Sequence, residues 1–438
     1  MKQLKSFKNV LVLGTGPTAL QLGLNFKKAL SSRVGIAGRT SVRSEKFFAS
    51  LAEHGHLVQV AVQNRKHEKM QGQFIVDDIF FQYEEVVGEW DTLILAVTTD
   101  AYLDVLTSLH KNTLKDVKTV ILISPTLGSN YLVHHYMKQF NPQVEVISFS
   151  TYFGDTRWLS SYPSNQVLTT AVKKKIYLGS TNSSSEAVEK LVNLYKQLNL
   201  TIEVMKTPIE AETRNISLYV HPPLFMNEFS LSYIFKEEKH LKYVYKMYPE
   251  GPITPSLIKN MLNQWKEIMS IISRLNVKQL NLLKFMTEDN YPVRRESLSL
   301  HDIEKFSELE SIHQEYLLYV RYASLLVDPF SEPDQHGRYF DFSAVPLQTV
   351  FVNKEQKFDI PRMPKEDYYR LKMIQAIARY VECDCPTIDQ FLTAYKEKVR
   401  AFSEAYEDVK LSAAFSNLAF EDDISMIYQA LDKQIVKQ

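Results

Sequence analysis

At 438 residues the chain is longer than one ordinary hydrophobic core serves, so about two or three domains are expected. Its 45% hydrophobic and 12% aromatic content can fill such cores and excludes wholesale disorder. Fifty-one basic residues balance fifty-one acidic ones, so no global charge points to nucleic acid or to an anionic membrane. The two cysteines, Cys383 and Cys385, are one residue apart, a poor spacing for a disulfide, and no second Cys/His cluster completes a zinc site. Two reduced thiols and no metal are expected. The first apolar run, Val10–Leu13, is too short for a signal peptide. No uninterrupted apolar stretch reaches the roughly 18 residues that a membrane crossing needs, so a cytoplasmic location is expected.

Only 13 glycines occur, and Gly14, Gly16, Gly23, Gly35 and Gly38 all fall near the start. Val10–Leu13 reads as a strand buried on both faces, as parallel sheets require. It runs into Gly14-Thr15-Gly16-Pro17-Thr18-Ala19, a G-x-G-x-x-A form of the dinucleotide fingerprint. Gly14 permits the tight turn, Gly16 lets the backbone approach a pyrophosphate, and Ala19 lets the following helix pack on the sheet. Pro17 suits the first turn of that helix, whose free N–H groups and positive end attract phosphate. A second strand, Arg33–Ala37, follows at the expected distance, and beyond it stands Arg39 rather than the carboxylate of an NAD site. A guanidinium with Thr40, Ser41 and further basic residues, Arg43 or Lys46, suits a 2′-phosphate and favours NADPH as cofactor.

Asp91–Val97, Val117–Ile123 and Glu145–Phe149 continue the strand pattern. Each releases hydroxyl residues at its carboxyl end (Thr98, Ser124, Tyr152), where ligands bind in open α/β sheets. Between 160 and 212, Val167–Val172 and Lys175–Leu178 read as strands and Ser185–Leu198 as a surface helix, an extension of the first domain. From 213 the pattern turns helical and aromatic. Thr254-Pro255 reads as an N-cap and first helical residue before Leu257, Met261, Trp265, Ile268, Ile272 and Leu275 at helical spacing. Other helices begin near Pro364 and after Cys385-Pro386. The expected fold is α/β: a Rossmann-type doubly wound sheet over 1–212, then a predominantly α-helical catalytic domain over 213–438.

Ile123–Gly128, Ile147–Arg157, Ala211–Met226, Tyr248–Ile253, Asn290–Arg294, Tyr339–Pro346 and Ile360–Pro364 together resemble the opine-metallophore dehydrogenases, the staphylopine dehydrogenase branch above all, along nearly the whole chain. The resemblance implies reductive condensation. A histidine-derived amine carrying an aminobutyrate unit joins a 2-oxo acid, pyruvate or 2-oxoglutarate, and NADPH reduces the imine to a metal-chelating opine. The cofactor loop is a residue longer than in the family, which leaves the second basic contact open between Arg43 and Lys46.

Such chemistry needs a group that exchanges protons near neutral pH, and histidine serves. A histidine beside prolines is more often structural, but His221 lies within a motif that carries the resemblance, which makes it the catalytic candidate. Asp155, in Gly154-Asp155-Thr156-Arg157, is expected just past a strand's carboxyl end, to orient the imidazole or hold the substrate amine; its purely structural alternative is an Asp in a turn. Tyr152, Arg157 and Arg214 are candidate substrate contacts; the arginines suit carboxylates, though salt bridges explain them equally.

Ketopantoate-type and 6-phosphogluconate-type reductases share this domain pairing but use a catalytic lysine, and none stands here in a comparable motif. A dinucleotide-sensing protein would keep Gly14, Gly16 and Arg39 without needing His221 and Asp155 together. The partners expected are small molecules, with a homodimer as the default assembly.

Overall fold

Val10 to Leu13 are fully buried, with Val10 and Val12 in one apolar cluster and Leu11 and Leu13 in another. Burial of each such side chain contributes about 1.5–3 kcal/mol, which drives this strand to the centre of a sheet covered on both faces. The computed structural model describes residues 6–236, 240–290, 296–327, 344–406 and 409–435; the motif residues 291–294 and 339–343 lie outside them. These residues group into two units, one within 1–215 joined by 425–438, the other largely within 216–424.

The strands of the first unit are β1 (Asn9–Leu13), β2 (Arg33–Ala37), β3 (Leu57–Val62), β4 (Gly72–Ile75), β5 (Asp78–Phe80), β6 (Thr92–Leu95), β7 (Thr119–Leu122), β8 (Glu145–Phe149), β9 (Gly154–Trp158), β10 (Gln166–Val172), β11 (Lys175–Ser180) and β12 (Thr201–Met205). Eight form the main sheet in the order β12-β11-β8-β7-β6-β1-β2-β5. Neighbours are parallel except β8 and β11. Helix α1 (Pro17–Leu30) joins β1 to β2, and α2 (Val42–Glu53) follows β2. Because β1 lies between β2 and β6, connections leave it in opposite directions and open a crevice at its carboxyl end.

A second sheet, in the order β4-β3-β10-β9, is a feature that the sequence pattern did not disclose. Its β9 rules out the turn alternative for Asp155. The segment is an extended strand whose Trp158, Arg157 and Thr156 pair with Val167, Leu168 and Thr169 of β10. The local turn preference of Gly-Asp yields to cross-strand pairing.

The described part of the second unit is mostly helical. Helix Pro255–Arg274 starts where the cap residues place it: the Thr254 hydroxyl accepts a hydrogen bond from the Leu257 N–H at 3.1 Å. Its Leu257, Met261, Trp265, Ile268 and Ile272 are buried. Helix Pro386–Ala405 begins on Pro386, and helix Arg362–Tyr380 begins two residues ahead of Pro364. Both cysteines are free, and burial pushes the Cys385 thiol up to about 12. Among the described residues no helix is long and apolar enough to cross a membrane, and no cluster of three acidic, His or Cys side chains is placed to hold a metal.

Removing the cap tests the boundary. Thr254→Ala should cost about 1 kcal/mol, a fall of about 2–4 °C in the unfolding midpoint by calorimetry. An unchanged midpoint would show that the cap does not hold this helix.

Candidate active site

The crevice at β1 is built by glycine geometry. Gly14 has φ +135°, and a Cβ there would lie 2.5 Å from the Ala96 carbonyl oxygen, so a side chain is excluded twice over. The Gly14 N–H donates to the Ala37 carbonyl at 2.8 Å, which fastens the turn to the end of β2. Gly16, the N-cap of α1, is the reverse case: a Cβ would meet nothing within 4 Å, and no side chain caps the helix. Pro17 occupies the first helical turn and Ala19 is fully buried against the sheet. The space in front of Gly16 and the helix start therefore fits a pyrophosphate. Thr15 flanks this opening, half-buried.

Past β2, Arg39 and Thr40 are exposed. The Ser41 hydroxyl is occupied as the N-cap of α2, accepting from the Ser44 N–H at 3.1 Å, while Ser44 Oγ donates to the Arg39 carbonyl at 2.7 Å. That cap fixes the backbone of Arg39 and starts a helix beside it, so an exposed cation and a positive helix end lie at one edge. Arg39 lies near enough to Tyr83 to act on its phenol, which burial pushes up to about 12. Lys46 is exposed on α2, and the side chain of Arg43 lies outside the described residues. This donor set fits a phosphorylated dinucleotide.

At the carboxyl edge, Thr98 is half-buried at the head of the turn after β6, and Ser124 is exposed after β7. Tyr152 is engaged inward. Its hydroxyl meets Thr156 Oγ1 at 2.7 Å, which meets Thr169 Oγ1 at 2.8 Å, and Thr169 donates to Gln21 Oε1 of α1 at 2.6 Å. The chain of hydroxyls joins the second sheet to α1. The Asp155 carboxylate accepts from Arg157 Nε at 2.9 Å and Thr170 Oγ1 at 3.0 Å; both partners of the ion pair are about half exposed. Exposed pairs of this kind contribute about 0–1 kcal/mol and exchange readily. The Arg214 guanidinium, 10% exposed, donates to Thr213 Oγ1 at 2.9 Å and lies 4.0 Å from the Glu210 carboxylate.

His221 belongs to the second unit, in helix Ser217–Phe225, which contains Pro222 and Pro223. Pro222 has no N–H to bond the carbonyl four residues back, Leu218. That carbonyl instead accepts from Gln264 Nε2 of helix Pro255–Arg274 at 2.5 Å. A side-chain amide from a neighbouring helix thereby repairs the break and fixes the helix that carries His221. The imidazole Nδ1 is 3.9 Å from Asp367 Oδ1, and the ring stands edge-on to Phe225. Asp367 is fully buried on helix Arg362–Tyr380 and accepts from Arg370 one turn on. Arg362 donates to Glu366 at 2.6 Å on the same helix. Among the described residues, His221 Nδ1, Asp367 Oδ2 and Arg370 Nε are buried without a hydrogen-bond partner.

Burial, with the cations Arg370 and then Arg362, pushes the His221 imidazole down to about 3, so it is neutral at pH 7. Burial pushes the Asp367 carboxyl up, and Arg370 pulls it back. About a fifth of the His221 side chain stays accessible. A neutral, reachable imidazole beside a buried carboxylate and two guanidiniums can take and return a proton next to an anion. Sequence reasoning singled out His221 but not its neighbours Asp367 and Arg370. The signal was a helix whose Arg362, Glu366, Asp367 and Arg370 share one face by their spacing.

The staphylopine dehydrogenase family profile matches residues 8–431. The chain is 46% identical to the staphylopine synthase of Staphylococcus aureus (strain Mu50 / ATCC 700699) over 425 residues, 97% of this chain and 98% of the relative. It is 37% identical to the pseudopaline synthase of Pseudomonas aeruginosa (strain UCBPP-PA14), covering 91% of each. Among solved structures, NADP+-bound yersinopine dehydrogenase superposes with a TM-score of 0.89 at 29% identity, over 97% of this chain and 99% of that one. An octopine dehydrogenase with NADH and agmatine gives 0.58 at 14% identity over 89% of each chain, a likeness of fold alone. The chain belongs to the staphylopine dehydrogenase family of opine dehydrogenases.

Proposed function

We propose that the protein is an NADPH-dependent opine dehydrogenase. It joins a histidine-derived amine carrying an aminobutyrate unit to a 2-oxo acid, pyruvate or 2-oxoglutarate, and makes a staphylopine-like metallophore. The observation that carries this reading is the neutral imidazole of His221 beside Asp367, Arg370 and Arg362, in a chain whose relatives are synthases of this class. The cofactor assignment draws on the NADP+-bound yersinopine dehydrogenase and on the open helix start at Gly16 followed by Arg39.

Gly14, Thr15, Gly16, Pro17 and Ala19 form the seat for the pyrophosphate, and Arg39, Thr40, Ser41 and Arg43 or Lys46 the seat for the 2′-phosphate. Thr98 and Ser124 line the edge toward the nicotinamide. When bound, NADPH supplies the hydride that reduces the imine carbon. His221 takes one proton from the substrate ammonium as its nitrogen bonds the 2-oxo carbon, a second nitrogen proton passes to the new oxygen to give a carbinolamine, and His221 returns the first to that hydroxyl, which leaves as water and yields the protonated imine. Asp367 stabilises the imidazolium formed in between. Arg362 and Arg370 face the carboxylate that flanks the reacting carbon. Asp155 exchanges Arg157 for the substrate ammonium, which frees Arg157 for a carboxylate; Arg214 and Tyr152 are further substrate contacts.

The direct test is incubation with NADPH, the amine and each 2-oxo acid in turn, followed by mass spectrometry. The product should carry the summed mass of amine and acid, less water, plus two hydrogens. No NADPH oxidation with either acid would overturn the reading.

Three variants or signals follow. Arg39→Asp should weaken NADPH binding by more than about tenfold, with NADH affected far less; equal effects would place Arg39 away from the phosphate. His221→Ala should lower turnover by about 10²–10⁴-fold while leaving the NADPH dissociation constant near that of the wild type. The depressed imidazole also has a sign. The folded state holds fewer protons on His221 than the unfolded chain between about pH 3 and 6.5, so this residue's contribution to stability falls as pH drops through that window. Its resonance in histidine-labelled protein should stay neutral at pH 5; titration near 6.5 would contradict the depression by burial and the two guanidiniums.

A further inference from the structure

Glu212 is an acid that the chemistry above does not use, yet it is fully buried. It closes helix Pro208–Glu212 of the first unit. Its Oε1 accepts from the Asn130 N–H at 2.8 Å and from Ser148 Oγ at 2.9 Å. Its Oε2 accepts from the Gly128 N–H and from Asn130 Nδ2, both at 2.9 Å. None of these partners is a cation, and the two N–H groups and the amide can only donate. A carboxylate satisfies all four, whereas a protonated carboxyl could place its hydrogen only on Ser148 Oγ, the one partner that can also accept. Burial pushes the Glu212 carboxyl up to about 7 even though the four bonds pull it down.

What Glu212 ties together is specific. Gly128 and Asn130 begin helix Ser129–Met137, which has no side-chain cap of its own and enters through Gly128 at φ +91°. Glu212 supplies that cap from elsewhere in the chain. Between β7 and this helix runs the segment 123–128, which carries Ser124 at the carboxyl edge. A second tie lies three residues past Glu212, where Asn215 Nδ2 donates to the Pro125 carbonyl at 3.2 Å. Within the segment, Thr126 is 1% exposed and its hydroxyl has no partner among the described residues. A segment relaxing on its own would pair that hydroxyl, so its shape is imposed from outside.

We propose that Glu212 is a positioning residue for hydride transfer: its buried carboxylate sets the shape of segment 123–128, against which the reacting end of the cofactor is placed. The proposal rests on the NADPH assignment above. The adenosine end, seated at Gly14–Ala19 and Arg39, does not depend on it.

Glu212→Gln keeps the size and turns an amide NH₂ toward donors. The expected result is a kcat lowered by about tenfold or more, because buried donors lose their acceptor. The primary isotope effect with 4-deuterated NADPH should rise, while the NADPH dissociation constant changes by less than about threefold. Amide exchange followed by mass spectrometry should accelerate across 123–130 and stay unchanged across 10–30. Ser148→Ala, which removes one donor, should move the isotope effect and local exchange in the same direction by less, and it carries the test if Glu212→Gln fails to fold. An unchanged isotope effect, a dissociation constant rising in step with the loss of kcat, or faster exchange across the whole unit would each overturn the proposal. If the wild type oxidises NADPH with neither 2-oxo acid, the cofactor reading fails, and the exchange measurement still tests the hold of Glu212 on its segment.

Discussion

Val10, Leu11, Val12 and Leu13 have no exposed surface, and a strand covered on both faces meets solvent only at its ends. The geometry of the first unit descends from that constraint. β2 and β6 flank β1 and carry the chain away on opposite sides, so the carboxyl end of β1 cannot be roofed by its own connections. The turn there must clear the Ala96 carbonyl, which limits Gly14 to glycine, and must then start a helix within three residues. The opening before Gly16 is therefore what remains when the central strand is packed.

The second unit solves a different problem, the burial of charge. Asp367 and Arg370 are nearly or wholly inaccessible, and ion pairs so placed seldom stabilise a fold relative to apolar residues of the same volume. Their value lies in the imidazole beside them. Burial first, and then the guanidiniums of Arg370 and Arg362, disfavour a positive charge on His221, so it rests neutral. The proton transfer proposed for His221 would be a reason to retain charges that packing alone would discard.

The parts legible in the sequence are those set by near neighbours. β1 and β2, the glycine turn, the N1 proline of α1, and the Thr254 cap with its helix each depend on contacts within about one or two turns, and local pattern reports them. Arg39 was read by counting forward from the fingerprint, and it lies exposed past β2 beside the start of α2. β9 was not, because Gly154-Asp155 has turn preference and becomes a strand only by pairing with β10. Tyr152 read as an edge residue, but its hydroxyl completes a chain that starts at Gln21, across the sequence from it. Asp367 was hidden for a similar reason: its neighbour His221 belongs to a helix far earlier in the chain, and no spacing rule links them. The Glu212 network escaped because four donors from two segments well before it in the chain define it.

The two prolines that follow His221 bear on how the site can diversify. Because the Leu218 carbonyl is bonded to Gln264, the helix carrying His221 has lost a backbone link of its own and gained an anchor to helix Pro255–Arg274. Rotating or sliding it by one residue would strand the Gln264 amide and expose a carbonyl inside the core, at a cost of about 1–3 kcal/mol for each group. The histidine is thus a fixed reference point. On the facing helix, Asp367 and Arg370 can change only together, since replacing one would leave the other buried without its partner.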